Sequence, residues 1–322
     1  MAVPNVLYGV AVDSQRRIFV TFSDHVEVLD PSKDAVWNVP KAYSNPFAIL
    51  GDIKVRSANR TRVDKQGRVF VPEYEKGCVS IFSADGKRIH ELYSPNRDMK
   101  PVGVAFGRKT DVQNQIFVSD FDNGCIHTFN SEWCYLGKFG NNLHWLMGLA
   151  VDSKNRVFVA MASGIAGFNG DNMERIWSTR FGTGCGDVDE MICSPTDVAV
   201  DIYNNVYVAD WNTNCIHVYK EEPLHPEKWS IVKIVGCWGG DFGQLRRPMG
   251  VAVDEESNIY VADSKNRRIQ VFLNSLENDG LSVQVYKKSE NGTWAITTGE
   301  RSNTRTGANK LSIEDVNFPL GG

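Results

Sequence analysis

Short apolar runs alternate with polar, turn-forming residues along most of the chain, and the whole pattern recurs. The segment Pro248–Phe272 (PMGVAVDEESNIYVADSKNRRIQVF) is echoed at Pro195–Tyr219 as PTDVAVDIYNNVYVADWNTNCIHVY. Further copies, two of them degenerate, lie at Pro101–Phe129, Met147–Phe168, Gly9–Leu29 and Thr61–Phe82. Their equivalent positions recur roughly every 40–55 residues, a period typical of a β-propeller. These positions are Asp13, Asp64, Phe106, Asp152, Asp201 and Asp254.

Each copy predicts three consecutive strands. In the last copy these are Gly250–Val253, Ile259–Val261 and Ile269–Phe272, separated by turns rich in Asp, Asn and Lys. A fourth apolar run lies between copies, at Arg88–Leu92, Tyr135–Phe139, Arg175–Arg180 and Ser230–Val235. Six units of four antiparallel strands close a ring, so the sequence predicts an all-β, six-bladed β-propeller. The inner strands are predicted near Val10–Val12, Arg62–Val63, Val104–Phe106, Leu149–Val151, Val198–Val200 and Val251–Val253.

The repeat resembles the NHL family of six-bladed propellers. The matching motifs are Pro-x-Gly-Val-Ala-Val-Asp, (Ile/Val)-Tyr-Val-Ala-Asp and Asn-x-Arg-Ile-Gln-Val-Phe, and the resemblance covers about Gly9 to Phe272. It implies a single propeller domain over residues 1–288 and a polar C-terminal tail over residues 289–322. Packing of that tail on the ring and disorder both remain open, and Leu311–Val316 within it could add a strand. The segment Pro31–Arg60 is expected to carry the outer strand of blade one and a long loop.

Charge and hydropathy narrow the partner classes. Net charge is −4 and 42% of residues are hydrophobic, so a packed core is expected without a strong attraction for nucleic acid or anionic membranes. The basic pairs Arg16-Arg17, Arg246-Arg247 and Arg267-Arg268 are offset by acidic residues. A nucleic-acid partner is therefore not expected. No apolar run approaches about 18 residues, so no membrane span is expected.

The seven cysteines bear on the compartment. Cys78, Cys125 and Cys215 share one repeat position and are interpreted as packed side chains. Disulfides of open connectivity are geometrically possible near one end of blade five, where Cys185, Cys193, Cys215 and Cys237 are expected to lie. The sequons at Asn59 and Asn291 fit a secreted protein, although no secretory signal precedes the first strand. Secretion is favoured over a cytoplasmic location, and the compartment stays open.

Candidate chemistry concentrates at one mouth of the ring. The turns between second and third strands meet there with the loops that lead into the next blade. Asp120, Asp210 and Asp263 occupy one repeat position and are predicted to cap turns. Residues interpreted as breaking the repeat are the better functional candidates. The predicted ligand-binding residues are Glu73, Tyr74, Trp145, Trp211, Trp238, Arg246 and Arg247. The catalytic candidates are His25 and His144, which could transfer protons. His127 and His217 share one strand position and are interpreted as packed.

The known enzymes on such scaffolds can be compared with this chain. The segment ICSPTDVAVD at 192–201, with Cys215 beyond it, resembles part of the peptidyl-hydroxyglycine amidating lyase, a secreted zinc enzyme. That family places zinc-binding histidines after the prolines that open its inner strands. Here Val102, Thr196 and Met249 stand at those positions, and Met147 precedes Gly148 without a Pro-His pair. Neither zinc nor another metal or cofactor is therefore expected. A calcium-dependent lactonase would need several inward carboxylates, and Asp197 is the one obvious acidic residue on an inner strand.

Two functional hypotheses follow. The first is a binding module whose aromatic and charged mouth takes a protein, peptide or small-molecule ligand. The alternative is an enzyme (lyase, hydrolase or oxidoreductase, but not a zinc amidating lyase) with a pocket at the same mouth. A binder should present a broad shallow face, whereas an enzyme should present a deep pocket with convergent polar groups.

Overall fold

The structure, a computed structural model, describes residues 6–30, 55, 58–107, 115–162, 164–178, 192–274, 282–289 and 294–300. The strands form six antiparallel sheets arranged as a ring, and the fold class and blade number are those predicted. Within these ranges the one helical turn is a 3-10 turn at Ser264–Asn266. No helix in them is long and apolar enough to cross a membrane.

Each sheet is one blade, and its strands follow each other in chain order from the ring centre outward. Blade one contains β1 Leu7–Val12, β2 Ile18–Phe22 and β3 Val26–Leu29. Blade two contains β4 Arg62–Val63, β5 Val69–Glu73, β6 Cys78–Phe82 and β7 Arg88–Leu92. Blade three contains β8 Pro101–Phe106, β9 Ile116–Asp120, β10 Cys125–Phe129 and β11 Tyr135–Phe139. Blade four contains β12 Leu149–Val151, β13 Arg156–Met161, β14 Gly164–Asn169 and β15 Arg175–Ser178. Blade five contains β16 Pro195–Val200, β17 Val206–Asp210, β18 Cys215–Glu222 and β19 His225–Val235. Blade six contains β20 Pro248–Val253, β21 Ile259–Asp263, β22 Arg268–Phe272, β23 Ser282–Lys288 and β24 Trp294–Glu300.

All six predicted inner strands are confirmed, as β1, β4, β8, β12, β16 and β20. The outer strand of blade five begins earlier than predicted, because β18 and β19 continue as a hairpin beyond the other blades. Blade six gains a fifth strand, β24, from the segment predicted as a polar tail. The outer strand and long loop predicted for Pro31–Arg60 lie mostly outside the described residues, which there include only Val55 and residues 58–60. The strand predicted at Leu311–Val316 also lies outside them.

The same aspartate turn joins the first two strands in five blades. Its Oδ1 atom accepts the backbone N–H groups two and four residues further on; in blade five these belong to Tyr203 and Asn205, at 2.9 and 2.8 Å from Asp201. The residue three positions after the aspartate has a left-handed backbone, with φ 65° at Asn204. These aspartates are Asp13, Asp64, Asp152, Asp201 and Asp254. These five carboxylates are therefore structural.

Apolar side chains between neighbouring blades form the core. The ring closes where the inner strands of blades six and one abut, since a Cβ on Gly250 would lie 2.7 Å from the Cα of Gly9. Alternating Val, Ile, Ala and Phe residues fill this seam, as they do the others. The two ends of the chain therefore meet without a strand being exchanged between the described parts of blades one and six.

The predicted disulfides are not found among the described cysteines, which form none with one another. Cys78, Cys125 and Cys215 are buried at the start of the third strand of their blades, as the packing interpretation requires. Cys185 lies outside the described residues. The Asn59 sequon also has an unexpected setting, because Arg60 and Thr61 within it are 1% and 0% exposed. Asn59 itself is half-buried, so two of the three sequon residues are inaccessible in the folded chain.

Candidate functional site at the propeller mouth

Hydrogen bonds join the turns and loops that form the mouth. The turn after β9 is tied to the next inter-blade loop by Leu143, whose N–H donates to Gly124 O at 3.0 Å. In blade six, Lys265 N–H donates to Arg246 O at 3.1 Å, and Arg247 N–H donates to Asn214 Oδ1 at 2.8 Å. The side chains on these loops are therefore carried by a rigid frame, which suits a binding surface.

A cleft of about 440 Å³ opens between blades five and six at this mouth. Four of the seven predicted ligand-binding residues line it together. The lining residues are Trp211, Asn212, Asn214, Trp238, Arg246, Arg247 and Lys265. The volume falls in the range of small-molecule sites, about 300–1,000 Å³. Sequence reasoning missed Asn212, Asn214 and Lys265, which lie on turns whose polar residues are indistinguishable in sequence from ordinary turn formers.

Each arginine of the cleft lies against an indole ring. The guanidinium carbon of Arg247 is 4.1 Å from the ring centroid of Trp211, and that of Arg246 is 5.5 Å from the centroid of Trp238. Arg247 has a left-handed backbone with φ 53°. That conformation is unfavourable for a residue with a Cβ, and the hydrogen bond from its N–H to Asn214 helps to hold it.

The cleft is positively charged within a chain of net charge −4. Arg246, Arg247 and Lys265 are all exposed, and in the described part of the chain none of them forms an ion pair. The nearest repeated carboxylate, Asp263, is buried and already engaged: its Oδ1 accepts from Arg246 N–H at 2.7 Å and its Oδ2 from Arg268 Nε at 2.8 Å. The three cations are therefore available to a ligand.

Trp211 belongs to a repeated arrangement that sequence reasoning missed. In three blades an aromatic residue follows the acidic residue that ends the second strand. It contacts the residue that stands three positions before the first-strand glycine of the next blade. The pairs are Tyr74 with Lys100, Phe121 with Trp145, and Trp211 with Arg247. The sequence signal was Glu-Tyr, Asp-Phe and Asp-Trp at one repeat position. Trp211 thus covers a seam between blades as well as lining the cleft.

Glu73 does not face solvent, contrary to its prediction as a ligand-binding residue. It is 1% exposed and occupies the repeat position of Asp120, Asp210 and Asp263. Its Oε1 atom accepts a hydrogen bond from Ser80 Oγ. Asp120 and Asp210 accept the backbone N–H groups of Asn123 and Asn212, which confirms that this position caps turns.

Tyr74, Trp145 and His144 lie at the mouth but outside the cleft. Tyr74 donates its hydroxyl to Asp122, 3.0 Å from Oδ2, and this bond raises the pKa of the phenol. Trp145 is 65% exposed, has φ 52°, and lies parallel to Phe121 with ring centroids 6.5 Å apart. His144 is exposed beside it. These residues form a second aromatic surface on blades two to four.

His25 is held by two carboxylates on blade one. Its Nδ1 is 2.8 Å from Asp24 Oδ1, its Nε2 is 3.3 Å from Glu27 Oε1, and its ring stacks on Phe22 with centroids 4.5 Å apart. Burial opposes protonation of the ring, but the hydrogen bonds to Glu27 and Asp24 raise its pKa. The imidazolium form is thus stabilised, and both ring nitrogens are engaged, so His25 does not present a free basic nitrogen.

Among the described residues, one buried trio has the side chains and spacing to hold a metal ion. Asp120, Cys125 and His127 bring their ligand atoms within 4.8 Å of one another. His127 Nε2 is 2.9 Å from Asp120 Oδ2, so imidazole and carboxylate already satisfy each other. Burial raises the pKa of the Cys125 thiol to about 11, which disfavours the thiolate that zinc binds. Blade five repeats the set as Asp210, Cys215 and His217, consistent with a packing role.

The ring centre is occupied by side chains. Arg60 is fully buried; a Cβ on Gly148, across the ring, would lie 2.8 Å from its Cδ. Asp197, also fully buried, accepts from Arg62 Nη2 at 2.8 Å and lies 4.0 Å from Arg60 Nε. Burial lowers the pKa of Arg60 to about 10 although Asp197 opposes the change. The inward carboxylate of Asp197 is therefore paired with arginine.

Comparisons with known proteins agree on the architecture. The family model of the NHL repeat matches residues 245–272, so the last blade carries an NHL repeat in a six-bladed β-propeller. No curated protein matches the sequence. Among solved structures, a streptogramin B lyase shares 13% identity and a TM-score of 0.58, covering 91% of this chain and 87% of that one.

Two further structures show the range of proteins with this fold. Virginiamycin B lyase from Staphylococcus aureus aligns with 11% identity and a TM-score of 0.57, over 91% of this chain and 94% of that one. Hydrazine synthase from Kuenenia stuttgartiensis aligns with 8% identity and a TM-score of 0.59, over 86% and 98%. Identities this low support the fold alone, because one fold hosts many functions.

Proposed function

We propose that this protein is a binding module and that the cleft between blades five and six takes a protein, peptide or small-molecule ligand. The supporting observation is the convergence of Trp211, Trp238, Arg246 and Arg247 on one cleft. Aromatic residues and arginine dominate binding hot spots because they offer large contact areas and directed donors. Trp238 is 64% exposed, which is costly for an indole unless a partner covers it.

The enzyme hypothesis is the second candidate. It is favoured by one comparison, a catalytically inactive histidine-to-alanine variant of virginiamycin B lyase with quinupristin, which shows a histidine-dependent lyase on a related scaffold. In this chain the exposed His144 and the carboxylate-bound His25 are the candidate catalytic histidines. Neither lines the cleft. The described residues that line the cleft supply cations, amides and indoles but no acid–base pair, which favours binding.

Native mass spectrometry of the protein purified from its source tests the binding proposal. We expect a fraction of the chains to carry an added mass that disappears under denaturing conditions. The size of that mass distinguishes a small molecule, a peptide and a protein. The same measurement on Trp238→Ala should show the added mass lost. Retention of the full adduct by Trp238→Ala would place the binding site elsewhere.

A further inference from the structure

We infer that the ligand of the cleft carries an oxyanion on an aromatic ring, as an aryl phosphate, aryl sulfate or aryl carboxylate does. This inference rests on the proposed binding function and names the chemistry of its ligand. Two features of the cleft carry it: a set of cations whose donors are not used within the described protein, and an exposed indole face beside them.

The stacking of Arg247 on Trp211 is the first feature. A guanidinium that lies on an aromatic face is fixed in its plane, while its N–H groups point outward from the edge. The guanidinium carbon of Arg247 lies over the Trp211 ring at 4.1 Å from its centroid, and this contact restricts the side chain. The planar fork of arginine matches the geometry of carboxylate and phosphate oxygens, which it binds with two parallel hydrogen bonds. Arg247 is therefore preorganised as an oxyanion receptor.

The other cations of the cleft lie on separate loops. Arg246 precedes Arg247 on the loop into blade six, and Lys265 lies on the 3-10 turn of the same blade. Lys265 N–H donates to Arg246 O at 3.1 Å, so the backbone fixes the two loops relative to each other. A single anion between these loops could approach all three charges, and mutual repulsion of the cations would fall when it binds.

Trp238 supplies the ring-binding face. It is 64% exposed although Arg246 lies over one side of it, 5.5 Å from the centroid. The parallel bridge between Trp238 and Leu245 fixes the backbone that carries the indole. An aromatic ring attached to the anion could stack on this indole and remove it from water. Inorganic phosphate or sulfate would leave that face exposed, so the ring is part of the recognition.

Titration with matched probes tests this inference, monitored by the indole N–H signals of the ¹⁵N-labelled protein, with the Trp211 and Trp238 signals assigned by their Phe variants. The probes are phenyl phosphate, inorganic phosphate and phenol. We expect phenyl phosphate to shift the Trp238 signal. We also expect it to bind at least about tenfold more tightly than inorganic phosphate or phenol. Its affinity should fall as sodium chloride is raised, because the anion and cations are screened. Equal affinities for phenyl phosphate and phenol would show that the oxyanion is not recognised. Equal affinities for phenyl phosphate and inorganic phosphate would show that the aromatic ring is not recognised. Either result would overturn the inference.

Arg247→Met and Arg97→Met form the matched pair of variants. Both arginines are exposed, have left-handed backbones (φ 53° and 56°) and lie over an aromatic ring, but Arg97 lies over Tyr93 outside the cleft. Arg247→Met should weaken phenyl phosphate binding at least about tenfold, and Arg97→Met should leave it unchanged. Equal effects of the two variants would show that phenyl phosphate responds only to the overall charge of the protein, and would overturn the assignment of the oxyanion contact to Arg247.

One further measurement distinguishes a peptide ligand from a small molecule. Another distinguishes failure of this inference from failure of the proposed binding function. A phosphotyrosine peptide that binds at least about tenfold more tightly than phenyl phosphate would assign the oxyanion to a peptide, and equal affinity would assign it to a small molecule. If phenyl phosphate does not bind but a neutral ligand co-purifies and is lost in Trp238→Ala, the inference fails while the binding function stands. If phenyl phosphate does not bind and Trp238→Ala retains the co-purified ligand, both the inference and the proposed binding function of the cleft fail.

Discussion

A hydrogen bond between Trp294 and Glu27 joins the last blade of the ring to the first. The indole N–H of Trp294, on the last strand of blade six, donates to Glu27 Oε2 on blade one at 2.8 Å. Both residues are buried, at 4% and 5% exposure, and Lys288 also reaches the Glu27 carboxylate. Because blade one is covered here by β24, the segment after residue 288 contributes to ring closure.

Removing the Trp294 side chain should therefore destabilise the whole ring. We expect Trp294→Ala to lower the free energy of unfolding by about 3–5 kcal/mol, the usual cost of truncating a buried tryptophan. Trp145→Ala, at a 65% exposed position, should cost less than about 1 kcal/mol and serves as the control. Urea unfolding followed by circular dichroism measures both. Similar small losses would show that β24 is dispensable.

Glu27 makes the stability of this seam depend on pH. Burial opposes ionisation of Glu27, but hydrogen bonds from His25, Lys288 and Trp294 lower its pKa to about 2. Because this pKa is depressed in the folded state, the carboxylate stabilises the fold above the ordinary pKa of 4.5. That contribution, on the order of 3 kcal/mol, is lost as pH falls from about 4.5 toward 2.

The comparison of wild type with Glu27→Gln isolates this effect. Wild type should lose more unfolding free energy than Glu27→Gln between pH 6 and pH 3, because the variant lacks the titrating group. Urea titrations at a series of pH values provide the measurement. Parallel pH profiles for the two proteins would mean that Glu27 does not contribute to acid unfolding.

Asp197 should be essential for stability, not for metal binding. Asp197→Asn leaves the fully buried Arg60 and the partly exposed Arg62 without a carboxylate, and breaking such an ion pair costs about 3–5 kcal/mol. Asp122→Asn, which alters an exposed partner of Tyr74, should cost less than about 1 kcal/mol. Thermal and urea unfolding give the difference. A loss below about 1 kcal/mol for Asp197→Asn would show that the central cluster is weakly coupled to folding.

We expect no stoichiometric zinc. The Arg60 guanidinium stands at the ring centre, and Val102, Thr196 and Met249 supply no imidazole there. Elemental analysis of protein purified without chelators measures the metal content, and one zinc per chain contradicts the prediction. In that case Cys125→Ala locates the ion: loss of zinc would assign it to Asp120, Cys125 and His127.

The fold was predictable because a repeat averages out local ambiguity: the same apolar run recurs often enough to fix strand order and blade number. The site was predictable only in part. The mouth position of Trp211, Trp238, Arg246 and Arg247 follows from blade topology, but exposure does not. Glu73 and Tyr74 are neighbours in sequence, yet one is buried and the other half-buried, because successive residues at a strand end face different sides. β24 was missed because Trp294–Glu300 has no equivalent in the repeat.

The binding role of the cleft is tested most directly by measuring ligand affinity and melting temperature on the same samples of wild type, Trp211→Ala and Trp238→Ala, using the ligand that co-purifies. We predict that each variant weakens binding by about 1–3 kcal/mol. The melting temperature of Trp238→Ala should change little because its side chain is 64% exposed. The account is contradicted if Trp238→Ala binds as wild type does, or if both variants unfold early and the remaining folded protein keeps full affinity.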